Sequence, residues 1–174
     1  MPIGIDFGPG AIEGLGRILV ELEAVRPLLV CDQGIRDCGL LDKAIDACDS
    51  NIERHPIYDG VASNPREENV LEALEQYQAE KCDGIVAIGG GSVIDAAKGV
   101  GLLASNQGDL DEFDVLKGGT ARIRNGPPPL IAVPTTAGTG SEVSRGALII
   151  TTRDGITRKM IAASPLLVPQ HAIL

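Results

Sequence analysis

The chain has 174 residues, 44% of them hydrophobic, and a formal net charge of −9. This length suits one domain with a substantial core, and the acidic balance argues against a nucleic-acid partner. No apolar run approaches the roughly 18 residues that span a bilayer, and no signal-peptide pattern opens the chain. We therefore expect no membrane partner and a cytoplasmic location, with four reduced cysteines that lack metal-site spacing.

Short apolar runs alternate with amphipathic segments along most of the chain. The apolar runs predict strands over residues 3–7, 27–31, 51–57, 84–88 and 130–133. Apolar residues at helical spacing predict helices over residues 12–22, 40–50, 66–81 and 92–104. This alternation predicts an α/β fold with a Rossmann-like, mostly parallel sheet flanked by helices.

The last third of the chain departs from that alternation. Residues 109–114 are predicted to be a patch of solvated acids, and residues 117–129 a loop. Two β-prone segments, 147–152 and 157–162, flank an Asp-Gly pair and predict a β-hairpin. The apolar end at 171–174 is typical of a strand that is just beginning, so we expect the chain to be a piece of a longer protein.

Three glycines and a serine, Gly89-Gly90-Gly91-Ser92, follow one predicted strand and precede a predicted helix. A helix start has unpaired N–H groups and partial positive charge, and glycines let a phosphate approach it closely. The plainer interpretation is a tight turn in which Ser92 caps the helix and Asp95 completes a capping box. Lys98 is either a surface lysine or a side chain that reaches back toward the anion.

A second glycine-rich element, Thr-Thr-Ala-Gly-Thr-Gly-Ser-Glu at 135–142, also follows a buried strand. Its hydroxyls could contact a nucleotide, although a polar loop with Ser and Thr turns would look the same. Asp109 and Asp111 stand at the distance of a ribose-binding acid but fall in the predicted patch of solvated acids. Asp32, which follows the 27–31 strand, is the better candidate, and its plainer interpretation is a turn residue or helix cap.

The segments 89–98 and 134–142, with Asp32 and Asn64 in matching order and spacing, resemble those of the iron-containing (group III) alcohol dehydrogenases. The resemblance covers the whole chain and implies a two-domain enzyme that transfers hydride between a small alcohol or aldehyde and NAD. Residues 1–174 would form its NAD-binding domain. A missing carboxyl-terminal helical domain would hold a divalent metal, iron or zinc, through one Asp and three His. We also expect a homo-oligomer such as a dimer.

The resemblance implies a cofactor site made by Asp32, Asn64, Gly90, Gly91, Ser92, Asp95, Thr135, Thr136, Gly138, Thr139, Leu148 and Lys159. Asp32 would bind the adenosine ribose and favour NAD over NADP, and Asn64 would lie beside the cofactor. Gly91, Ser92 and Asp95 would hold the pyrophosphate and its neighbouring ribose. The adenine side would be lined by Thr135, Thr136, Gly138 and Thr139. Leu148 and Lys159 would add contacts from the hairpin. No catalytic residue or metal ligand is expected in this chain, and its two histidines are interpreted as structural.

Other functions stay open at this point. A maleylacetate reductase, a glycerol dehydrogenase or a dehydroquinate synthase would carry similar glycine loops, although the 134–142 segment favours alcohol dehydrogenases. The chain could also be a stand-alone, non-catalytic nucleotide-binding module. A phosphate-binding regulator is a third class, and it would bind sugar phosphates but not NADH.

Overall fold

The computed structural model describes residues 3–48 and 55–174. Its strands are β1 (Gly4–Asp6), β2 (Pro27–Val30), β3 (Ile57–Tyr58), β4 (Gly84–Gly89), β5 (Leu130–Pro134), β6 (Gly146–Arg153), β7 (Ile156–Ala163) and β8 (His171–Ile173). Its α-helices are α1 (Leu15–Glu21), α2 (Gln33–Asp37), α3 (Leu40–Ala47), α4 (Glu67–Ala79) and α5 (Gly91–Ser105). Short 3-10 helices occupy Ala11–Gly14, Leu110–Phe113, Val115–Lys117, Gly119–Arg122 and Pro165–Leu167. Within these two ranges, no helix has the length and apolarity that a membrane span requires.

Six of these strands form a parallel sheet in the order β1-β8-β5-β4-β2-β3, and β6 pairs antiparallel with β7. Asp154 and Gly155 join β6 to β7 with φ values of 52° and 76°, the left-handed conformation that a type I′ hairpin turn needs. The Rossmann-like α/β fold and the hairpin near the carboxyl end are therefore confirmed.

The sheet is buried on both faces, which explains why its central strands are continuous apolar runs. Side chains alternate along a strand, so Ile85 and Ala87 of β4 enter one core while Val86 and Ile88 enter the other. The first core is shared with α4, α5 and the hairpin. The second core is shared with α1 and α3.

The order of the strands creates a crevice between β2 and β4. These two strands are neighbours, but the helices that follow them pack on opposite faces, α2 and α3 on one and α5 on the other. Open parallel sheets bind ligands at such a point, beyond the carboxyl ends of the strands. Asp32 directly follows β2, and the glycine run ends β4, so both lie at this edge.

Several element boundaries differ from those predicted. The predicted 12–22 helix begins as the 3-10 turn Ala11–Gly14, and α2 was not predicted because it is only one turn long. Of the predicted 51–57 strand, residues 51–54 lie outside the described residues, and the strand that follows is Ile57–Tyr58. The predicted 40–50 helix ends at Ala47, with residues 49 and 50 outside the described ranges. The predicted 117–129 loop contains a 3-10 turn.

The prediction of a solvated acidic patch is wrong for Asp111 and Asp114. The Asp111 side chain is 14% exposed and forms ion pairs with Lys117 and Arg158. Asp114 is 1% exposed, and its Oδ1 accepts the Leu116 N–H at 3.1 Å. The segment folds into 3-10 turns that pack against β7, which buries Asp114 and partly buries Asp111 beside Arg158.

Asp111→Asn should lower the free energy of unfolding at pH 7 by about 1 kcal/mol, because it breaks two ion pairs. The hydrogen bond from Lys117, and then that from Arg158, holds the pKa of Asp111 below its usual value. The stabilisation is therefore present above the unfolded pKa of about 4 and is lost as the pH falls. Urea unfolding at pH 7 and pH 3 would measure this. Asp46→Asn on an exposed site is the control, and an equal loss at both pH values would contradict the prediction.

Candidate functional site

The glycine run Gly89–Ser92, called the phosphate loop below, connects β4 to α5. Gly89 has φ 158°, and a Cβ there would lie 2.6 Å from Val93 Cγ2, so this position requires glycine. The first helical bonds run from the N–H groups of Val93 and Ile94 to Gly90 O, at 3.1 and 3.2 Å. The N–H groups of Gly91 and Ser92 therefore have no acceptor inside the helix. Together with the helix dipole, they form a site that attracts an anion.

The plainer interpretation, in which Ser92 and Asp95 form a capping box, is wrong. The residue that caps α5 is Gly90, and it makes no side-chain cap. Ser92 Oγ instead donates to Ser63 O at 2.5 Å, and Asp95 Oδ2 accepts the Leu148 N–H at 3.0 Å. These two side chains bond to neighbouring segments, which lie against the first turn of α5, and not to the helix's own N–H groups.

Asp95 is a buried carboxylate with one unused oxygen. The residue is 7% exposed, and among the described residues its Oδ1 has no hydrogen-bond partner. Burial raises the pKa of Asp95. A buried acceptor without a donor is costly, so Oδ1 is an oxygen that the nearby Ser141 hydroxyl or a ligand hydroxyl could satisfy.

The loop between β5 and β6, residues 135–145, is called the threonine loop below. Its first N–H, that of Thr135, donates to Gly89 O at 3.0 Å, so it starts beside the phosphate loop. A Cβ on Gly90 would lie 3.0 Å from Thr136 Oγ1, and a Cβ on Gly91 would lie 3.2 Å from Thr139 Cβ. The two glycine-rich elements therefore lie against each other, and a side chain at Gly90 or Gly91 would push the threonine loop away from the phosphate loop. Gly138, at φ 87°, also requires glycine.

Asp32 lies at the carboxyl end of the neighbouring strand β2. It caps α2, because its Oδ1 accepts the Ile35 N–H at 3.0 Å. The plainer interpretation of Asp32 as a helix cap is therefore correct. That bond uses one carboxylate oxygen, and Asp32 makes no side-chain hydrogen bond to the other predicted site residues in the described ranges.

The hairpin brings the remaining predicted residues to the same edge. Lys159 Nζ donates to Asn64 Oδ1 at 3.0 Å, and the N–H of Leu148 is the donor to Asp95. Ile150 N–H donates to Pro65 O at 2.8 Å, which fixes the loop that carries Asn64 onto β6. Asn64 and Lys159 are thus in direct contact, and Leu148 contacts the first turns of α5.

An apolar cavity of about 330 Å³ opens beside the start of the threonine loop. Its walls include Ile88 and Val133 from the sheet, Leu40 and Ala44 from α3, and Thr135. This volume lies within the range of small-molecule sites. The α3 residues were not predicted as part of a site, because their apolar spacing is equally that of an ordinary core helix.

Lys98 is neither a surface lysine nor a side chain that faces the anion position. It is 0% exposed, and its Nζ donates to the threonine loop and to the first residue of β6. The sequence pattern around Lys98 gave no indication of these acceptors, which lie more than 40 positions further along the chain.

The two histidines lie apart in this structure. His55 is 4% exposed, and burial lowers its pKa. His171 Nε2 lies 3.4 Å from Asp6 Oδ1 on the neighbouring strand. Within residues 3–48 and 55–174, no three His, Cys, Asp or Glu side chains form a group that could hold a metal ion.

Comparison with known proteins identifies the family. The model of the iron-containing alcohol dehydrogenase family matches residues 2–174. The chain is 45% identical to a 4-hydroxybutyrate dehydrogenase from Cupriavidus necator over 98% of this chain and 43% of that protein.

Solved structures agree with this match. A 1,3-propanediol oxidoreductase superposes with a TM-score of 0.90 and 37% identity, over 99% of this chain and 44% of that one. A sulfoacetaldehyde reductase from Bifidobacterium kashiwanohense, solved in complex with NAD+, superposes with a TM-score of 0.82 and 27% identity over the same shares. The chain thus spans somewhat less than half the length of these relatives, and it belongs to the iron-containing alcohol dehydrogenase family.

Proposed function

We propose that this chain is the NAD-binding part of a metal-dependent alcohol dehydrogenase. The observation that carries the proposal is the close contact between the phosphate loop and the threonine loop, at the two N–H groups of Gly91 and Ser92 that have no acceptor inside α5. The unused oxygen of Asp95 beside them fits a ribose hydroxyl. The residues present therefore fit a dinucleotide. The similar sulfoacetaldehyde reductase was solved in complex with NAD+.

Each predicted residue has a role in this proposal. Gly90, Gly91 and Ser92 hold the pyrophosphate with backbone N–H groups, and Asp95 accepts from the neighbouring ribose. Asp32 uses its second oxygen for the adenosine ribose, at the end of β2.

Different residues would contact the two ends of the dinucleotide. Thr135, Thr136, Gly138 and Thr139 line the adenine side, where the apolar cavity offers walls for a flat base. Asn64, Leu148 and Lys159 lie beside the other end, with Lys159 orienting the Asn64 amide.

Bound NAD would supply the hydride acceptor, and the residues of this chain would orient it toward the alcohol. The metal that polarises the alcohol oxygen belongs, in this proposal, to the part of the relatives that this chain does not span. The names of the relatives, for 4-hydroxybutyrate and for 1,3-propanediol, favour a short alcohol with a second polar group as the substrate of the whole enzyme. We also propose a homo-oligomer in the cytoplasm. The free thiols of all four cysteines, three of them buried, suit a reducing compartment.

Titration of the 174-residue chain with NADH should give saturable enhancement of nicotinamide fluorescence, with AMP competing for the same site. With NAD, a short alcohol and Fe²⁺ or Zn²⁺ added, no NADH should form, because the described residues offer no metal cluster. Circular dichroism confirms that the chain is folded in the same samples. A folded chain that binds sugar phosphates but no NADH would contradict the proposal. Alcohol oxidation by the chain alone would contradict the assignment of the metal site to the part of the relatives that this chain does not span.

A further inference from the structure

Lys98 is a fully buried ammonium whose acceptors all come from one short segment. Its Nζ donates to Ser141 O at 2.7 Å, Ser144 O at 2.7 Å and Gly146 O at 2.9 Å, and lies 3.0 Å from Ser144 Oγ. A lysine ammonium has three N–H donors, so these carbonyls occupy all of them. Lys98 therefore has no donor left for a ligand and does not touch one.

Burying an ammonium is costly unless it is well paired, so the hydrogen bonds to the three carbonyls must offset the cost of burying Lys98. The charged groups that face Lys98 are Asp95, one turn earlier on α5, and Glu142 in the threonine loop. The carbonyl contacts fix the end of the threonine loop to the middle of α5. No other side chain in the described ranges donates to the carbonyls of both Ser141 and Ser144.

The segment that Lys98 holds is also the one that shapes the anion site. Ser141 Oγ would lie 3.1 Å from a Cβ on Gly91, so the held segment forms one wall of the gap over the phosphate loop. Two residues beyond Gly146, the N–H of Leu148 fixes Asp95. If residues 141–146 shift, both the wall beside Gly91 and the donor to Asp95 shift with them.

We infer that Lys98 is a positioning residue for dinucleotide binding, whose ammonium holds residues 141–146 so that the threonine loop closes on the phosphate loop. This inference rests on the proposed function, since it concerns the affinity of the same site. It adds a residue that acts through the backbone of the threonine loop and not by contact with the cofactor.

Lys98→Met removes the ammonium while keeping an unbranched apolar chain. NADH binding should weaken by about tenfold or more, the loss that corresponds to about 1.4 kcal/mol. Hydrogen exchange at the amides of Val143 and Leu148 should become faster, while exchange in β2 and β4 stays unchanged. Lys81→Met, at an exposed lysine, is the matched control and should bind NADH within about twofold of wild type.

The pH dependence of binding distinguishes positioning from a general loss of stability. Burial lowers the pKa of Lys98 to about 8. Raising the pH from 7 to about 9.5 therefore removes one donor, and NADH affinity of the wild type should fall about threefold. The affinity of Lys98→Met should not change over this range. Asp95 and Glu142 are the other charged groups that face Lys98.

Ser144→Ala is a milder variant in case Lys98→Met does not fold. It deletes the hydroxyl near the ammonium but keeps the carbonyl, so the expected loss of NADH affinity is about threefold, with faster exchange at Val143. If the wild type binds NADH and both variants bind it equally well, the inference is wrong and the proposed function stands. If the wild type binds no NADH, the proposed function fails, and unchanged exchange at Val143 and Leu148 in both variants would separately overturn the role of Lys98.

Discussion

Gly91→Ala should weaken NADH binding by at least about tenfold, because it places a methyl group in the gap between the phosphate loop and the threonine loop. The added Cβ would lie 3.1 Å from Ser141 Oγ and 3.2 Å from Thr139 Cβ, which is tighter than ordinary van der Waals contact. The methyl group would also stand beside the free N–H groups that are proposed to hold the pyrophosphate. Fluorescence titration with NADH measures the loss.

The fold should tolerate this substitution. Gly91 has no positive φ and begins a helix, where alanine is favoured over glycine by about 0.5–1 kcal/mol. That gain offsets part of the cost of moving the threonine loop, so we expect a thermal midpoint close to that of wild type. Gly126→Ala is the control, since the nearest heavy atom to its Cβ would be Leu166 O at 3.8 Å. A Gly91→Ala chain that is folded and binds NADH as tightly as wild type would show that the phosphate loop is not part of the NADH site.

Most of the sheet could be predicted from sequence, because burial on both faces leaves a strong local signal. The strand of residues 84–89 is a continuous apolar run that ends at glycines, and the hairpin carries its turn signal at Asp154 and Gly155. Parallel strands also bring their carboxyl ends to one edge. Local pattern and topology together therefore predict that Asp32 and Gly91 lie at the same edge, without any knowledge of side-chain contacts.

The contacts within the site could not be predicted, because they join segments that are distant in sequence. The partner of Ser92 is Ser63, 29 positions away, and the acceptors of Lys98 lie 43–48 positions beyond it. From local spacing, Ser92 is typical of a helix cap and Lys98 of a surface lysine. The loop that carries Ser63 supplies the acceptor of Ser92, and the threonine loop and β6 supply those of Lys98, so both bonds depend on segments that pack against α5.

The acidic segment illustrates the same limit. A run of Asp and Glu is typical of a solvated surface, and Asp109 and Glu112 are indeed exposed. Asp111 is drawn inward by Arg158, 47 positions later on β7. Charge patterning predicts the exposed members of such a run, whereas the burial of Asp114 and the partial burial of Asp111 depend on which strand packs over them.

Asp32 has two roles in this account, and two substitutions separate them. Asp32→Asn keeps a side-chain oxygen that can accept the Ile35 N–H and cap α2, but removes the negative charge. Asp32→Ala removes both the cap and the charge. If the carboxylate faces the adenosine ribose, it repels the 2′-phosphate of NADPH, so either substitution should reduce the preference for NADH over NADPH by about tenfold or more.

Stability should respond differently from cofactor preference. Asp32→Ala should lower the free energy of unfolding by about 0.5–2 kcal/mol through loss of the cap, whereas Asp32→Asn should change it little. Asp37→Asn, on the exposed end of the same short helix, is the control for a lost charge and should leave the cofactor preference unchanged. Parallel titrations with NADH and NADPH, with urea unfolding of each variant, measure both quantities. A residue that is only a cap would give a destabilised Asp32→Ala with an unchanged preference, because capping α2 does not require a charge.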